Sequence, residues 1–126
     1  MKLVIVGTGY VGLVSGLCFA EFGFETICVD SDASRIESLK KGECPFYEPG
    51  LTNLLRKHLK ETKLLSLSQS LSDSMSGADI IFITVGTPTK HLDDEADLSA
   101  VYKVADQIAD NINKYCLVVT KSTVPV

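Results

Sequence analysis

The sequence predicts an α/β domain built on a doubly wound parallel sheet, and three observations carry that prediction. Short apolar, β-branched runs alternate along the chain with segments of helical spacing, as in strands joined by crossover helices. The first run, Lys2–Val6 (K-L-V-I-V), is almost wholly apolar, which suits a strand buried on both faces. It leads straight into Gly7-Thr8-Gly9-Tyr10-Val11-Gly12, a glycine-rich turn that opens the next helical segment.

That segment runs from Tyr10 to Phe22, with Val11, Val14, Cys18 and Phe22 at helical spacing and Gly23 as its stop. Glu25–Val29 (E-T-I-C-V) reads as the second strand. A helix from Ala33 to about Lys41 follows, capped by Asp32 and ended by Gly42. Cys44–Gly50 is a turn-rich connector, after which Leu51, Leu54, Leu55 and Leu59 mark another amphipathic helix. Lys63–Leu67 is a weaker strand candidate. In the serine-rich stretch Ser66–Ser76, Leu67, Leu71 and Met75 recur every four residues, which favours a short surface helix over a linker. Asp79–Val85 (D-I-I-F-I-T-V) is a clear buried strand and Gly86–Ala96 a polar loop. Asp97 then caps a helix carrying Leu98, Val101, Ala105, Ile108 and Ile112, and Cys116–Thr120 is the last strand.

At 126 residues the chain has room for one hydrophobic core, and 45% hydrophobic with 22% charged residues is ordinary for a globular domain. A net charge of -4 argues against nucleic acid or an anionic membrane as partner. No apolar run reaches the roughly 18 to 20 residues of a membrane span. The short N-terminal run lacks the length and cleavage site of a secretory signal, so a cytoplasmic protein is expected. The four cysteines, Cys18, Cys28, Cys44 and Cys116, form no C-x-x-C pair and have only His58 and His91 for company, so no metal site is expected. Cys18, Cys28 and Cys116 fall in apolar runs and are expected to behave as small buried hydrophobes.

The glycine turn is weak evidence as a hexapeptide and stronger in its place between strand and helix. Gly7 permits the tight turn, Gly9 lets the backbone approach a pyrophosphate, and Gly12 lets helix and strand pack closely. Free N–H groups at the helix N-terminus then meet phosphate charge. Asp30 ends the second strand eighteen residues beyond Gly12, near the roughly 20 at which a carboxylate meets the adenosine ribose. Such a carboxylate would repel a 2′-phosphate, so NAD is favoured over NADP. Capping of the next helix belongs to Asp32 instead. Arg35 could reach back to the ribose or a phosphate, or be a solvated surface cation.

Val85-Gly86-Thr87-Pro88 and Ser122-Thr123-Val124-Pro125 follow the fourth and fifth strands. Ligands of open α/β sheets bind outside the carboxyl ends of the strands, so both loops are expected to flank the cofactor. The expected fold is thus a Rossmann-type sheet. A full dinucleotide domain carries about six strands and only five are found, so a sheet truncated after its fifth strand, the front of a longer protein, is expected.

Six segments extend these signals: G-T-G-Y-V-G at 7–12, V-D at 29–30, P-F-Y-E-P-G-L at 45–51, V-G-T-P-T at 85–89, A-D-L at 96–98 and K-S-T-V-P-V at 121–126. Together they resemble the NAD-binding domain of the UDP-glucose/GDP-mannose dehydrogenase family. The glycine motif is common to many dehydrogenases, whereas Y-E-P-G-L and S-T-V-P are specific to those acting on nucleotide sugars. The resemblance implies NAD contacts along 7–12, with Tyr10 and Val11 lining the turn, and Asp30 on the ribose. It places Arg35 where the family has Lys or Arg. Thr87 and Thr123 match residues near the nicotinamide half, and Thr123 also borders the reaction centre in a supporting role. Tyr47, Glu48 and Pro49 look architectural, with Pro49 suited to a helix start and Glu48 to its positive end.

For the whole enzyme the resemblance implies oxidation of the C6 alcohol of UDP-glucose to the carboxylate with two NAD, by way of a cysteine nucleophile in a downstream G-x-C-x-P-K-type segment. None of the four cysteines has that neighbourhood, so these 126 residues are expected to bind cofactor without turnover. A nucleotide-sugar substrate and a homo-oligomer are expected of the full-length protein. GDP-mannose or a UDP-N-acetylhexosamine is the alternative substrate within the family. More distant alternatives are a hydroxyacid or 6-phosphogluconate-like dehydrogenase and a non-catalytic, redox-sensing NAD module.

Overall fold

The computed structural model describes residues 1–90 and 95–125. Their elements are β1 (Lys2–Val6), α1 (Tyr10–Glu21), β2 (Glu25–Val29), α2 (Ala33–Lys40), α3 (Leu51–Lys60), β3 (Leu65–Ser68), α4 (Leu71–Ser74), β4 (Ile80–Ile83), α5 (Ser99–Asn111) and β5 (Leu117–Thr120). The strands form one sheet in the order β3-β2-β1-β4-β5 with every pairing parallel. Strand order therefore reverses between β1 and β4, the place where open α/β sheets bind ligands.

Two core layers sandwich the sheet. Ile5 of β1 and Cys28 of β2 pack with Leu13, Leu17 and Ala20 of α1 and with Leu51 and Leu55 of α3. Val4 and Val6, one residue out of phase, pack instead with Leu71, Met75, Val101, Val104 and Ile108 beneath α4 and α5. The period-2 alternation of β1 thus feeds both layers, which is why its sequence is apolar without alternation. Each fully buried aliphatic side chain contributes about 1.5–3 kcal/mol.

Punctuation of the helices follows the sequence closely. Asp32 accepts from the N–H groups of Ser34 (3.0 Å) and Arg35 (3.1 Å), capping α2 as expected. Gly23 and Gly42 have φ of 91° and 81° just past the ends of α1 and α2.

The burial phase of two helices departs from expectation. In α1 the series Val11, Val14, Cys18 and Phe22 faces outward, with Val11, Cys18 and Phe22 exposed and Val14 half-buried. Its buried face is Gly12, Leu13, Gly16, Leu17 and Ala20. Cys18 is therefore not a buried hydrophobe, whereas Cys28 is, and Cys116 is half-buried. In α5, Val104 is buried and Ala105 exposed, with Ile112 exposed beyond the helix end. Asp97 accepts from the N–H of Ser99 (3.0 Å), but the N-cap position itself is Leu98.

Three smaller corrections concern the middle of the chain. Leu67 belongs to β3, and the expected surface helix is a single turn whose Leu71, Ser74 and Met75 are buried. The N-cap of α3 is Gly50 at φ 81°, so Pro49 precedes the helix instead of starting it. The fourth strand is shorter than its expected run, with Asp79, Thr84 and Val85 outside it, although the Thr84 N–H still donates to Val6 O at 2.9 Å. Of the expected loop Gly86–Ala96, residues 91–94 lie outside the described residues; Thr89 and Ala96 form an antiparallel bridge at its base.

Candidate dinucleotide site

The glycine turn is shaped by close backbone approach. Gly7 has φ 103°, its N–H donates to the Val29 carbonyl at 2.7 Å, and a Cβ there would lie 2.9 Å from the Thr84 carbonyl oxygen. A Cβ on Gly12 would collide with the Gly7 carbonyl oxygen and the Thr84 hydroxyl. That buried hydroxyl donates to Val6 O (2.8 Å) and Gly7 O (3.1 Å), tying the end of β4 to the turn. Gly9 differs from both: a Cβ there would meet nothing within 4 Å.

At the N-terminus of α1 the first helical bond runs from Leu13 N–H to Gly9 O at 2.9 Å. The N–H groups of Tyr10, Val11 and Gly12 precede it and have no intrahelical acceptor. No side chain caps this end. Combined with the helix dipole, these donors suit a phosphate. Tyr10 and Val11 are exposed there. The Tyr10 hydroxyl donates to Glu48 Oε2 at 2.6 Å, and its ring packs on Phe46 at 5.1 Å between centroids. Glu48 thus pins its loop to the glycine turn, a more specific role than serving the positive end of α3.

Asp30 stands at the end of β2 facing the turn. Its Oδ2 accepts from Thr8 N–H (2.8 Å), Thr8 Oγ1 (2.7 Å) and Arg35 Nη1 (3.4 Å), and its Oδ1 from Asp32 N–H (2.9 Å). Burial works to raise this carboxyl. The N–H of Asp32, the N–H and hydroxyl of Thr8, and Arg35 outweigh it and hold the group below the ordinary Asp range. It is an ionised acceptor at neutral pH.

Some of these groups line a cleft of about 500 Å³ at the carboxyl ends of β1, β2 and β4. Gly7, Gly9, Asp30, Arg35, Val85 and Gly86 all contribute, so the structure brings together residues from three separate sequence signals. Gln69 and, across the cleft on α5, Lys103 and Gln107 line it too. Sequence reasoning missed these three, because a polar residue on a helix or loop reads as solvated surface, and all three remain exposed at the mouth of the cleft.

Of the other residues expected to bind cofactor, Tyr10, Val11, Gly12, Thr87, Pro88, Ser122 and Thr123 are not on the walls of that cleft. Pro88 O accepts from Asp97 N–H at 2.7 Å, holding the base of the loop after β4. The Ser122 hydroxyl donates to Val85 O at 2.7 Å and its N–H to Ile83 O at 3.1 Å, which braces the end of β5 against β4. Thr87 is half-buried, and Pro88 and Thr123 are exposed at the same end of the sheet.

Across residues 1–126 the chain matches the model of the NAD-binding domain of the UDP-glucose/GDP-mannose dehydrogenase family. It belongs to that family. The UDP-glucose 6-dehydrogenase of Rhizobium meliloti (strain 1021) is 48% identical over the whole chain, which spans 29% of that protein. The corresponding enzyme of Pseudomonas aeruginosa is 46% identical, and the chain spans 27% of it. Among solved structures, a UDP-glucose dehydrogenase from Pyrobaculum islandicum superposes with a TM-score of 0.92 at 37% identity, covering 98% of this chain and 29% of that one. The chain is therefore an NAD-binding domain of the UDP-glucose/GDP-mannose dehydrogenase family, and its five-stranded parallel sheet is the Rossmann-type fold expected of it. None of the helices among the described residues is long and apolar enough to cross a membrane.

Proposed function

We propose that the cleft binds NAD with the adenosine ribose on Asp30 and the pyrophosphate on the free N–H groups of Tyr10 and Val11. The nicotinamide half then runs toward Val85–Pro88 and Ser122–Thr123, at the ends of β4 and β5. The observation that carries this reading is the ionised Asp30 carboxylate, held at the rim of the same cleft as an uncapped helix N-terminus. The open space at Gly9 supports it: the protein itself places nothing there that a side chain would strike. Arg35 and Lys103 add positive charge along the walls. NAD supplies the hydride acceptor; these residues bind and orient it.

In the complete protein this domain serves oxidation of the C6 alcohol of UDP-glucose to the carboxylate with two NAD, in a cytoplasmic homo-oligomer. Identity of 46–48% to UDP-glucose 6-dehydrogenases supports that substrate. GDP-mannose is the second reading, favoured by a Pseudomonas aeruginosa GDP-mannose dehydrogenase that superposes with a TM-score of 0.92 at 35% identity.

Calorimetric titration with NAD and NADP tests the cofactor site. Saturable NAD binding, much weaker NADP binding, and loss of the NAD signal in Asp30→Ala are expected; unchanged NAD affinity in that variant refutes the assignment of Asp30. NADH formation by the intact protein with UDP-glucose, and not with GDP-mannose, tests the substrate.

A further inference from the structure

We propose that Thr8 is a positioning residue that holds Asp30 in the orientation accepting a ribose and rejecting a 2′-phosphate, and so sets the preference for NAD over NADP. The proposal rests on the assignment of Asp30 to the adenosine ribose.

Thr8 occupies a position that the glycine motif leaves open to any residue, and it is fully buried. Burying a threonine hydroxyl in a turn is costly unless the hydroxyl is used. Here it is used once and strongly, donating to Asp30 Oδ2 at 2.7 Å, with the Thr8 N–H adding a second bond at 2.8 Å to the same oxygen. An ionised carboxylate only accepts, so the hydroxyl proton is committed to it. Oδ2 takes three donors, counting Arg35, whereas Oδ1 takes one, the N–H of Asp32. The acceptor capacity left for a ribose hydroxyl is therefore chiefly on Oδ1, and Thr8 decides which oxygen that is.

The cations near Asp30 make this anchor necessary. Arg35 approaches from α2 at 3.4 Å, and Lys103 lines the cleft from α5 on the far side. Without the hydroxyl, only the N–H groups of Thr8 and Asp32 hold the carboxylate against the pull of Arg35, and the barrier to a 2′-phosphate weakens. The same two hydrogen bonds join the ribose-facing carboxylate to the turn that faces the pyrophosphate, so the two halves of the proposed site are fixed relative to each other.

The test is made in the intact protein with Thr8→Val, which keeps the volume and backbone N–H and removes the donor, and Thr8→Ser, which restores it. Thr8→Val is expected to weaken NAD about tenfold, about 1.4 kcal/mol, with NADP little changed, so the NAD:NADP ratio falls by the same factor. The pH below which NAD binding declines should move upward in Thr8→Val and return in Thr8→Ser, a shift that a purely packing role does not produce. In an Asp30→Asn background, Thr8→Val should cause no further loss, because its effect runs through the carboxylate. Should Thr8→Val not fold, Thr8→Ala takes its place in that cycle. An NAD:NADP ratio and pH profile unchanged in the Thr8 variant, while Asp30→Asn loses NAD, overturn the role of Thr8 alone. Normal NAD binding by Asp30→Asn overturns the assignment of Asp30, and the proposal falls with it.

Discussion

Gly12→Ala separates the structural from the ligand-facing glycines of the turn. The added methyl would overlap the Gly7 carbonyl oxygen and the Thr84 hydroxyl. Neither can swing aside: one is backbone, and the other is bonded to Val6 O and Gly7 O. α1 must therefore lift from the sheet and partly uncover Leu13 and Leu17. Losing half the burial of both costs about 2–3 kcal/mol, and loosening the Thr84 bonds adds about 1 kcal/mol. The better helix propensity of alanine returns about 1 kcal/mol. The net loss is about 2–3 kcal/mol, or a fall in Tm of roughly 10 °C for a domain of this size. Far-UV circular dichroism melts measure it directly. Gly9→Ala is the control, because a methyl there meets nothing and an N-cap alanine in place of glycine costs about 1 kcal/mol or less. It should melt within a few degrees of the parent yet bind NAD at least about tenfold more weakly. A Gly12→Ala protein that melts like the parent would show that the helix–sheet contact is not the constraint described above.

His58 is buried between Glu21 Oε2 (2.6 Å) and Thr62 Oγ1 (2.9 Å), clamping α3 to α1, so His58→Ala should lose about 2–4 kcal/mol in urea unfolding with NAD affinity intact. Burial pushes the Cys28 thiol up to about 12, so at pH 8 a thiol reagent should label exposed Cys18 readily and Cys28 only after unfolding. The Asp30 carboxyl is held below its ordinary value, so its contribution to stability is complete above about pH 4 and is lost as pH falls through the folded-state value. Urea midpoints across that acid range should accordingly fall less in Asp30→Asn than in the parent. Ser122→Ala removes the brace to Val85 O and should cost about 1 kcal/mol; it should weaken NAD while leaving ADP-ribose, which lacks the nicotinamide, little changed, and equal weakening of both would refute the placement of the nicotinamide half at these loops.

The sheet was legible in the sequence because strands buried on both faces carry an unmistakable apolar run: β1 and β2 match their expected bounds residue for residue. The burial face of α1 was not legible, because this helix is apolar around most of its circumference and its periodicity carries no phase information. Val11, Val14, Cys18 and Phe22 satisfy a helical stripe as well as Leu13, Leu17 and Ala20 do. The better guide is Gly12 and Gly16: a glycine inside a helix marks where the backbone meets a neighbour, here the Gly7 carbonyl and the Cys28 side chain. α5 shows the opposite case, in which clear amphipathicity gave the right helix and missed the phase by one residue at Val104.

In the candidate site, the residues legible in advance are those whose identity is forced by backbone geometry or charge: Gly7 by its positive φ, Gly12 by the close approach, Asp30 by a carboxylate at the strand end that faces the turn. The residues that escaped act through others. Thr8 fills a position the motif leaves undefined, and its hydroxyl matters only once β2 brings Asp30 to 2.7 Å. Thr84 reads as the tail of a strand and is instead the bolt between β4 and the glycine turn. Ser122 is expected at the cofactor site, and what its sequence position does not reveal is the bond from its hydroxyl to Val85 O. Each is a small hydroxyl residue at the carboxyl end of the sheet, where strands stop pairing and their last carbonyls need donors. A ligand-binding edge needs those donors to be rigid, since any freedom in Thr8, Thr84 or Ser122 becomes freedom in the groups that face the cleft. The supporting hydroxyls are therefore as much a part of the proposed cofactor site as the glycines they hold.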